Sequence, residues 1–388
     1  MDTDIYRADM SSKYNKIVVA SDSFKGSLTS LHVAQSVERA VREVCPLSEV
    51  VKVNVADGGE GTMETLRQAL GGAKVSLTVS GPLRRPVQAS YVILDDGVTA
   101  VLEMSAASGL TLLSPEERNP SKTATLGTGE LICDALDRGC RKFLIGIGGS
   151  ATNDAGMGML HALGYRFKDA HGKELVPMGS SMLSVASIDM STYHSALVDA
   201  EFVVACDVKA PLYGPEGAAY VFAPQKGADI AMVEALDKGL RNFAKVSSEI
   251  MGYDCSTLEG SGAAGGLGFA FRQFLGARLE NGVEMVLDAI HFDEFLIGAD
   301  LVITGEGCID SQTLTGKTPY GVAQRAIRQG IPVVALGGQV SINQYQASLA
   351  GFQGVVQVTP ADMPLEEAMK PEVAAANIYD AIIRLISK

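Results

Sequence analysis

KFLIGIGGSATNDAGMGMLHALGY, residues 142–165, changes character in its middle. Phe143 to Ile147 is an apolar run that predicts a buried strand, and the chain beyond it carries Gly148, Gly149, Gly156 and Gly158 with Ser150, Thr152, Asn153 and Asp154 between them. Glycines let a backbone turn sharply and approach a ligand with no Cβ in the way, and N–H groups aimed from such a loop into a helix start attract anions. Phosphate is the expected ligand. Gly146-x-Gly148-x-x-Ala151 also fits the dinucleotide fingerprint, with Asp169 near the spacing of a ribose-binding acid. Asp154 on the same loop would repel a pyrophosphate unless a cation lay between them, which favours a nucleoside triphosphate with magnesium over NAD. A glycine-rich turn that only packs a strand against a helix would look the same, so this loop does not decide alone.

Outward from it, strand and helix patterns alternate. Residues 16–20 (KIVVA) predict a buried strand running into SDSFKGS, with Asp22, Ser23 and Lys25. Leu31, Ala34, Val37, Val41 and Val44 recur at helical spacing after Thr29 or Ser30 as cap. Residues 50–55 (VVKVNV) predict a second strand, which ends in ADGGEGT with Asp57 and Glu60. Both polar loops fall at the C-terminal end of a strand, the edge at which open parallel sheets bind ligands. Glu60 reads equally as a helix cap or a site residue. From Val75 the alternation and the turns at Gly81-Pro82 and Asp95-Asp96-Gly97 predict a small antiparallel sheet. Thr128 reads as the cap of a helix through Leu136. Further on, EFVVAC runs into Asp207, Lys209 and Lys226; a long helix covers about 230–251; and GSGAAGGLG precedes another helix. DLVIT then leads into GEGCIDSQTLTGKT, where Ser311 stands in place of the first glycine of a phosphate-binding P-loop. Lys317, entering a helix after Glu306 and Asp310, suits a group that neutralises transferring phosphate.

The fold class expected is α/β. A discontinuous, Rossmann-like parallel-sheet domain is formed by residues 16–80 and 290–388, and residues 81–289 form an inserted second α/β domain carrying the glycine loop. Residues 1–15 read as a flexible extension. With 388 residues and 47% hydrophobic content the chain can bury two cores. No apolar run reaches the roughly 18 residues of a membrane helix, and the polar start does not resemble a secretion signal, so a cytoplasmic protein is expected. The net charge of −13 argues against nucleic acid as a partner. Six scattered cysteines without a CxxC pair indicate reduced thiols rather than a metal site.

Taken together, KIVVASDSFKGSL, VADGGEGTMETL, EMSAASGL, GTGELI, GIGGSATNDAGMGMLHALG, CDVKAPLYGPEGAAYVFAPQKGA, GAAGGLG, GARLENGVE and LVITGEGCIDSQTLTGK resemble the type I glycerate kinase family, in that family's order, over residues 16 to about 320. The resemblance implies transfer of the ATP γ-phosphoryl group to D-glycerate, most often at the 2-hydroxyl in the bacterial branch, and a two-domain α/β fold with the site between the domains; transfer to the 3-hydroxyl, and a protein that binds a phosphorylated ligand without turnover, are the alternatives beside NAD. Three positions depart from the pattern. Cys308 stands for the arginine of GEGRIDSQ, Ala210 precedes Pro211 where asparagine is usual, and Ser21 replaces proline.

The division of roles among these loops is expected as follows. Backbone amides of Gly148, Gly149 and Ser150 hold phosphate, with Asn153, Gly305 and Glu306 also at the nucleotide. Asp207 or Asp154 holds Mg²⁺. Asp57, or else Asp22, accepts the proton. Lys25, Lys209 or Lys317 stabilises the charge, and Ser23, Lys209 and Asp310 face glycerate. Whether the protein self-associates is left open.

Overall fold

The computed structural model describes residues 14–59 and 61–387, and Glu60, whose role the sequence leaves open, lies outside them. The expected N-terminal extension falls outside them over residues 1–13. Its last two residues belong to the fold: Tyr14 packs on the first core, and the Asn15 N–H donates to the Asp300 carboxylate at 2.6 Å.

Two compact units are present among the described residues, 14–57 with 286–387, and the stretch from 58 to 285. The first boundary lies earlier than residue 80 because the strand Ala73–Ser80 pairs along its full length with Pro86–Ile93 and so belongs to the second sheet.

In the first unit five parallel strands lie in the order Gly354–Gln357, Val333–Val340, Leu301–Ile309, Lys16–Val19, Glu49–Lys52. From Lys16–Val19 the chain proceeds outward one way, and from Leu301–Ile309 it proceeds the other. The strand order therefore reverses between these two neighbours, the place where open α/β sheets bind ligands. Ile17, Val18 and Val19 are fully buried, as a central parallel strand requires. The helix Ser30–Val44 buries Val33, Ala34, Val37, Ala40 and Val41 at three- and four-residue spacing, and the Thr29 hydroxyl caps it by accepting from the His32 N–H at 3.3 Å. That face shares a core with Ile378, Ala381 and Ile382 of the helix Pro371–Ile386.

The second unit holds a six-stranded sheet in the order Arg278–Glu280, Glu201–Ala205, Lys142–Gly146, Thr99–Glu103, Pro86–Ile93, Ala73–Ser80. The first four are parallel and the last two antiparallel, so the antiparallel pattern read after Val75 is one margin of a larger mixed sheet. A small pair, Arg166–Lys168 with Ser187–Asp189, stands apart. The expected helix after Thr128 starts earlier, at Leu126, and the Thr128 hydroxyl lies inside it at 2.8 Å from that of Ser108.

Candidate active site

At the strand reversal of the first unit the backbone builds the site. The Asp22 N–H donates to the Gly305 carbonyl at 2.9 Å, and the Ser21 hydroxyl donates to the same oxygen at 3.0 Å. Serine at position 21 thus ties the end of the first strand to its neighbour, a bond proline could not make. Gly305 has no room for a side chain, since a Cβ would stand 2.5 Å from the Leu336 carbonyl oxygen.

Asp22 accepts from the Ser23 N–H at 2.6 Å and from the Thr318 hydroxyl at 3.2 Å. Burial, and then the nearby charge of Asp57, hold its carboxyl above the ordinary value. Asp57, the last residue before the chain enters the second unit, lies 3.8 Å from the Lys25 ammonium. Glu306 accepts from the Thr313 hydroxyl at 2.6 Å and lies 3.6 Å from the Lys317 ammonium, and burial pushes its pKa up. Lys317 is the residue at which the helix Thr318–Arg328 begins, so its ammonium and the helix's first N–H groups both favour an anion.

These groups share a cavity of about 600 Å³ with Ser23, Gly307 and the exposed Cys308. Asp310 is held otherwise. Its carboxylate accepts from the Gln312 and Thr313 N–H groups at 2.8 and 3.2 Å, which shapes the turn before Lys317.

The second unit collects a different set at the C-terminal ends of its parallel strands. Gly148 and Gly149 are exposed, Gly149 has φ +73°, and the loop is pinned where the Gly149 carbonyl accepts from the Leu110 N–H and the Ala151 N–H donates to the Ser108 carbonyl. Six residues of helix, Met157–Ala162, come only after nine residues of irregular chain, Gly148 through Gly156. The dinucleotide fingerprint needs a regular helix directly after its glycines, and Asp169 is occupied in a surface turn with the His171 and Lys173 N–H groups. The NAD alternative therefore loses its structural context.

Asp154 corrects the expectation that it holds metal. Its carboxylate is fully buried and accepts from the Thr125 N–H (2.8 Å), the Thr125 hydroxyl (2.9 Å), the Gly158 N–H (3.0 Å) and the Gly156 N–H (3.2 Å), so it organises the loop instead. Burial raises its pKa, and these donors oppose the rise. Asn153 is likewise fully buried, and its side-chain amide nitrogen and oxygen have no hydrogen-bond partner. One oxygen of Asp207, Oδ1, accepts from the Asn281 amide at 2.8 Å and from the Gly282 N–H at 3.0 Å. Lys209 sits on the surface of this unit, 3.8 Å from Glu259. Among the described residues no group of three His, Cys, Asp or Glu side chains forms a metal site.

Sequence reasoning gave no role to Lys226. Its ammonium is buried under the glycine loop and donates to the Ser150 hydroxyl and to the Thr152 carbonyl, both at 2.7 Å. Burial pulls its pKa down to about 7, with the charge of Asp154 acting the other way. A lysine closing the apolar run AAYVFAPQ was the available signal. The stretch GAAGGLG serves the same loop. Gly265 has φ +69° and a Cβ there would stand 2.1 Å from the Thr152 carbonyl oxygen, so glycine lets the two backbones touch.

The family described as the glycerate kinase family matches residues 17–387. The chain belongs to that family. It is 46% identical over 355 residues to the glycerate kinase of Bacillus subtilis (strain 168), covering 92% of this chain and 93% of that one. It is 44% identical over 369 residues to the glycerate 2-kinase of Escherichia coli (strain K12), covering 95% of each. A crystal structure assigned to glycerate kinase 2 of Salmonella typhimurium LT2 matches with TM-score 0.87 at 44% identity, over 96% of this chain and 97% of that one. As in the chain's sequence pattern, this likeness is to a mixed α/β protein. No helix among the described residues is long and apolar enough to cross a membrane.

Proposed function

We propose that this protein is a phosphotransferase that moves the γ-phosphoryl group of ATP to the 2-hydroxyl of D-glycerate, in the cytoplasm where ATP is supplied. The observation that carries the reading is the meeting of Asp22, Asp57 and Glu306 with Lys25 and Lys317 in one cavity at the strand reversal, in a member of the glycerate kinase family.

Phosphoryl transfer asks little covalent work of a protein. It needs alignment, neutralisation of charge and a proton acceptor. Asp57 is the acceptor for the substrate hydroxyl proton, since its carboxylate lies beside a lysine that can hold the anionic partner in place. Lys25 and Lys317 balance charge at the transferring phosphate and at the glycerate carboxylate, with Ser23 as a further substrate contact. Gly305 keeps the backbone close, and within the second unit the amides of Gly148, Gly149 and Ser150 suit an anion.

Magnesium usually takes one or two carboxylates together with phosphate oxygens and water. Asp22 and Glu306 fit that demand, because both face the cavity and the charge of Asp22 is felt by Glu306. Asp154 does not fit it, its oxygens being taken up by the four donors named above. When bound, Mg²⁺ neutralises the phosphate charge.

Purified protein incubated with Mg-ATP and D-glycerate tests the reading by phosphorus NMR. A 2-phosphoglycerate signal is expected. A 3-phosphoglycerate signal would keep the kinase and move the acceptor hydroxyl, and absence of any phosphoglycerate would overturn the reading.

A further inference from the structure

The first-unit cavity is lined by apolar residues as well as by the charged groups, and the proposed chemistry gives them no task. They are Phe24, Val358, Pro360, Met363, Leu365 and Met369. Apart from Phe24 these residues come after the strand Gly354–Gln357, the edge strand opposite Glu49–Lys52. Leu365 is 75% exposed and Met369 37% exposed, a large apolar surface to leave in a polar site.

Glycerate cannot use this wall. Each of its three carbons carries oxygen, and so small an acid fills a minor part of about 600 Å³. The ribose and triphosphate of ATP are polar throughout. The purine ring is the part of either substrate that gains by leaving water. We propose that this apolar lining binds the purine base of the nucleotide, with the triphosphate reaching Lys25 and Lys317 in the same cavity. The inference rests on the phosphoryl-transfer reading above.

Local structure prepares the wall for a flat ring. Methionine sulfur is polarisable and packs well on aromatic faces. The Asn377 amide donates to the Met363 sulfur at 3.5 Å and fixes that side chain. Gly26, at φ +79°, lets Met369 lie across the loop after the first strand, since a Cβ there would stand 2.8 Å from the Met369 methyl carbon. Gln357 braces the segment beneath by accepting from the Val340 N–H at 3.2 Å and donating to the Thr359 carbonyl at 3.0 Å.

Two measurements test the proposal. Met369→Ala should raise KM for ATP roughly five- to tenfold, the loss expected for a truncated apolar contact, and leave KM for glycerate as it was. An unchanged KM for ATP, or a rise confined to glycerate, would overturn it. Photolabelling of the wild-type protein with 2-azido-ATP followed by peptide mapping reads the base position without turnover. Label in residues 357–369 or at Phe24 supports the site, and label confined to other positions overturns it. A protein that is labelled there but makes no phosphoglycerate would keep the purine site and refute the kinase reading alone.

Discussion

Replacing Asp154 by asparagine separates a structural carboxylate from a metal ligand. In the structure Oδ2 accepts three donors, the Thr125 N–H and hydroxyl and the Gly158 N–H, and Oδ1 accepts the Gly156 N–H. An amide can keep its oxygen at the first position, and its NH₂ group then faces the Gly156 N–H, donor against donor. One buried donor left unmade costs about 1–3 kcal/mol, and three bonds that pass from charge-assisted to neutral lose on the order of 1 kcal/mol each. Opposed losses do not add fully, so the total is about 3–5 kcal/mol, a large share of the ~5–15 kcal/mol that holds a domain folded. For a unit of this size each kcal/mol lowers Tm by about 2–4 °C, which gives a fall of roughly 6–20 °C. Differential scanning fluorimetry reads that shift, and turnover below the new Tm at a series of Mg²⁺ concentrations reads the metal. Expected is the lower Tm with an unchanged Mg²⁺ requirement. An unchanged Tm with a many-fold higher Mg²⁺ requirement would refute the reasoning.

Two further predictions concern the lysines and their partners. Asp57→Asn should lower kcat by at least ~10²-fold, the usual contribution of a positioned proton acceptor, while Tm moves little because Lys25, its partner at 3.8 Å, is 79% exposed; unchanged kcat removes Asp57 from that role. Lys226 gives the unfolding free energy a pH dependence, since between about 7, its folded value, and 10.5, its ordinary one, the unfolded chain keeps the proton and the folded chain has lost it. Wild-type stability should therefore rise with pH across that window, by up to ~1.4 kcal/mol per pH unit beyond the slope of Lys226→Met, as read from urea unfolding at pH 7 and 9. Equal slopes would show that Lys226 is charged throughout.

Much of this was legible in the chain because the physics involved is local. The runs KIVVA and DLVIT could only be buried strands, and the polar loops after them had to fall at the binding edge of a parallel sheet. Asp22, Lys25 and Asp57 were found that way, and Glu306 and Lys317 likewise. Asp154 was misread because a carboxylate in a glycine loop looks alike whether it turns outward to a cation or inward to its own backbone, and the choice depends on Thr125, 29 residues away. Lys226 escaped for the same reason, since its partners Ser150 and Thr152 are more than 70 residues distant. The purine wall was invisible because Met363, Leu365 and Met369 sit in a segment with no periodicity to mark it.

The strand Lys16–Val19 has one neighbour, Glu49–Lys52, close in sequence and the other, Leu301–Ile309, far away. At a ribosome adding about 5–20 residues per second, the interval between making Val19 and making Leu301 is roughly 14–56 s. Throughout that time an inner strand of the future sheet has an open side, and before it closes residues 58–285 have every strand of their own sheet. Synthesis thus delivers a finished second unit with an unfinished first one attached, and the window in which a chaperone or a stray strand edge could engage this protein is set by the length of the inserted unit.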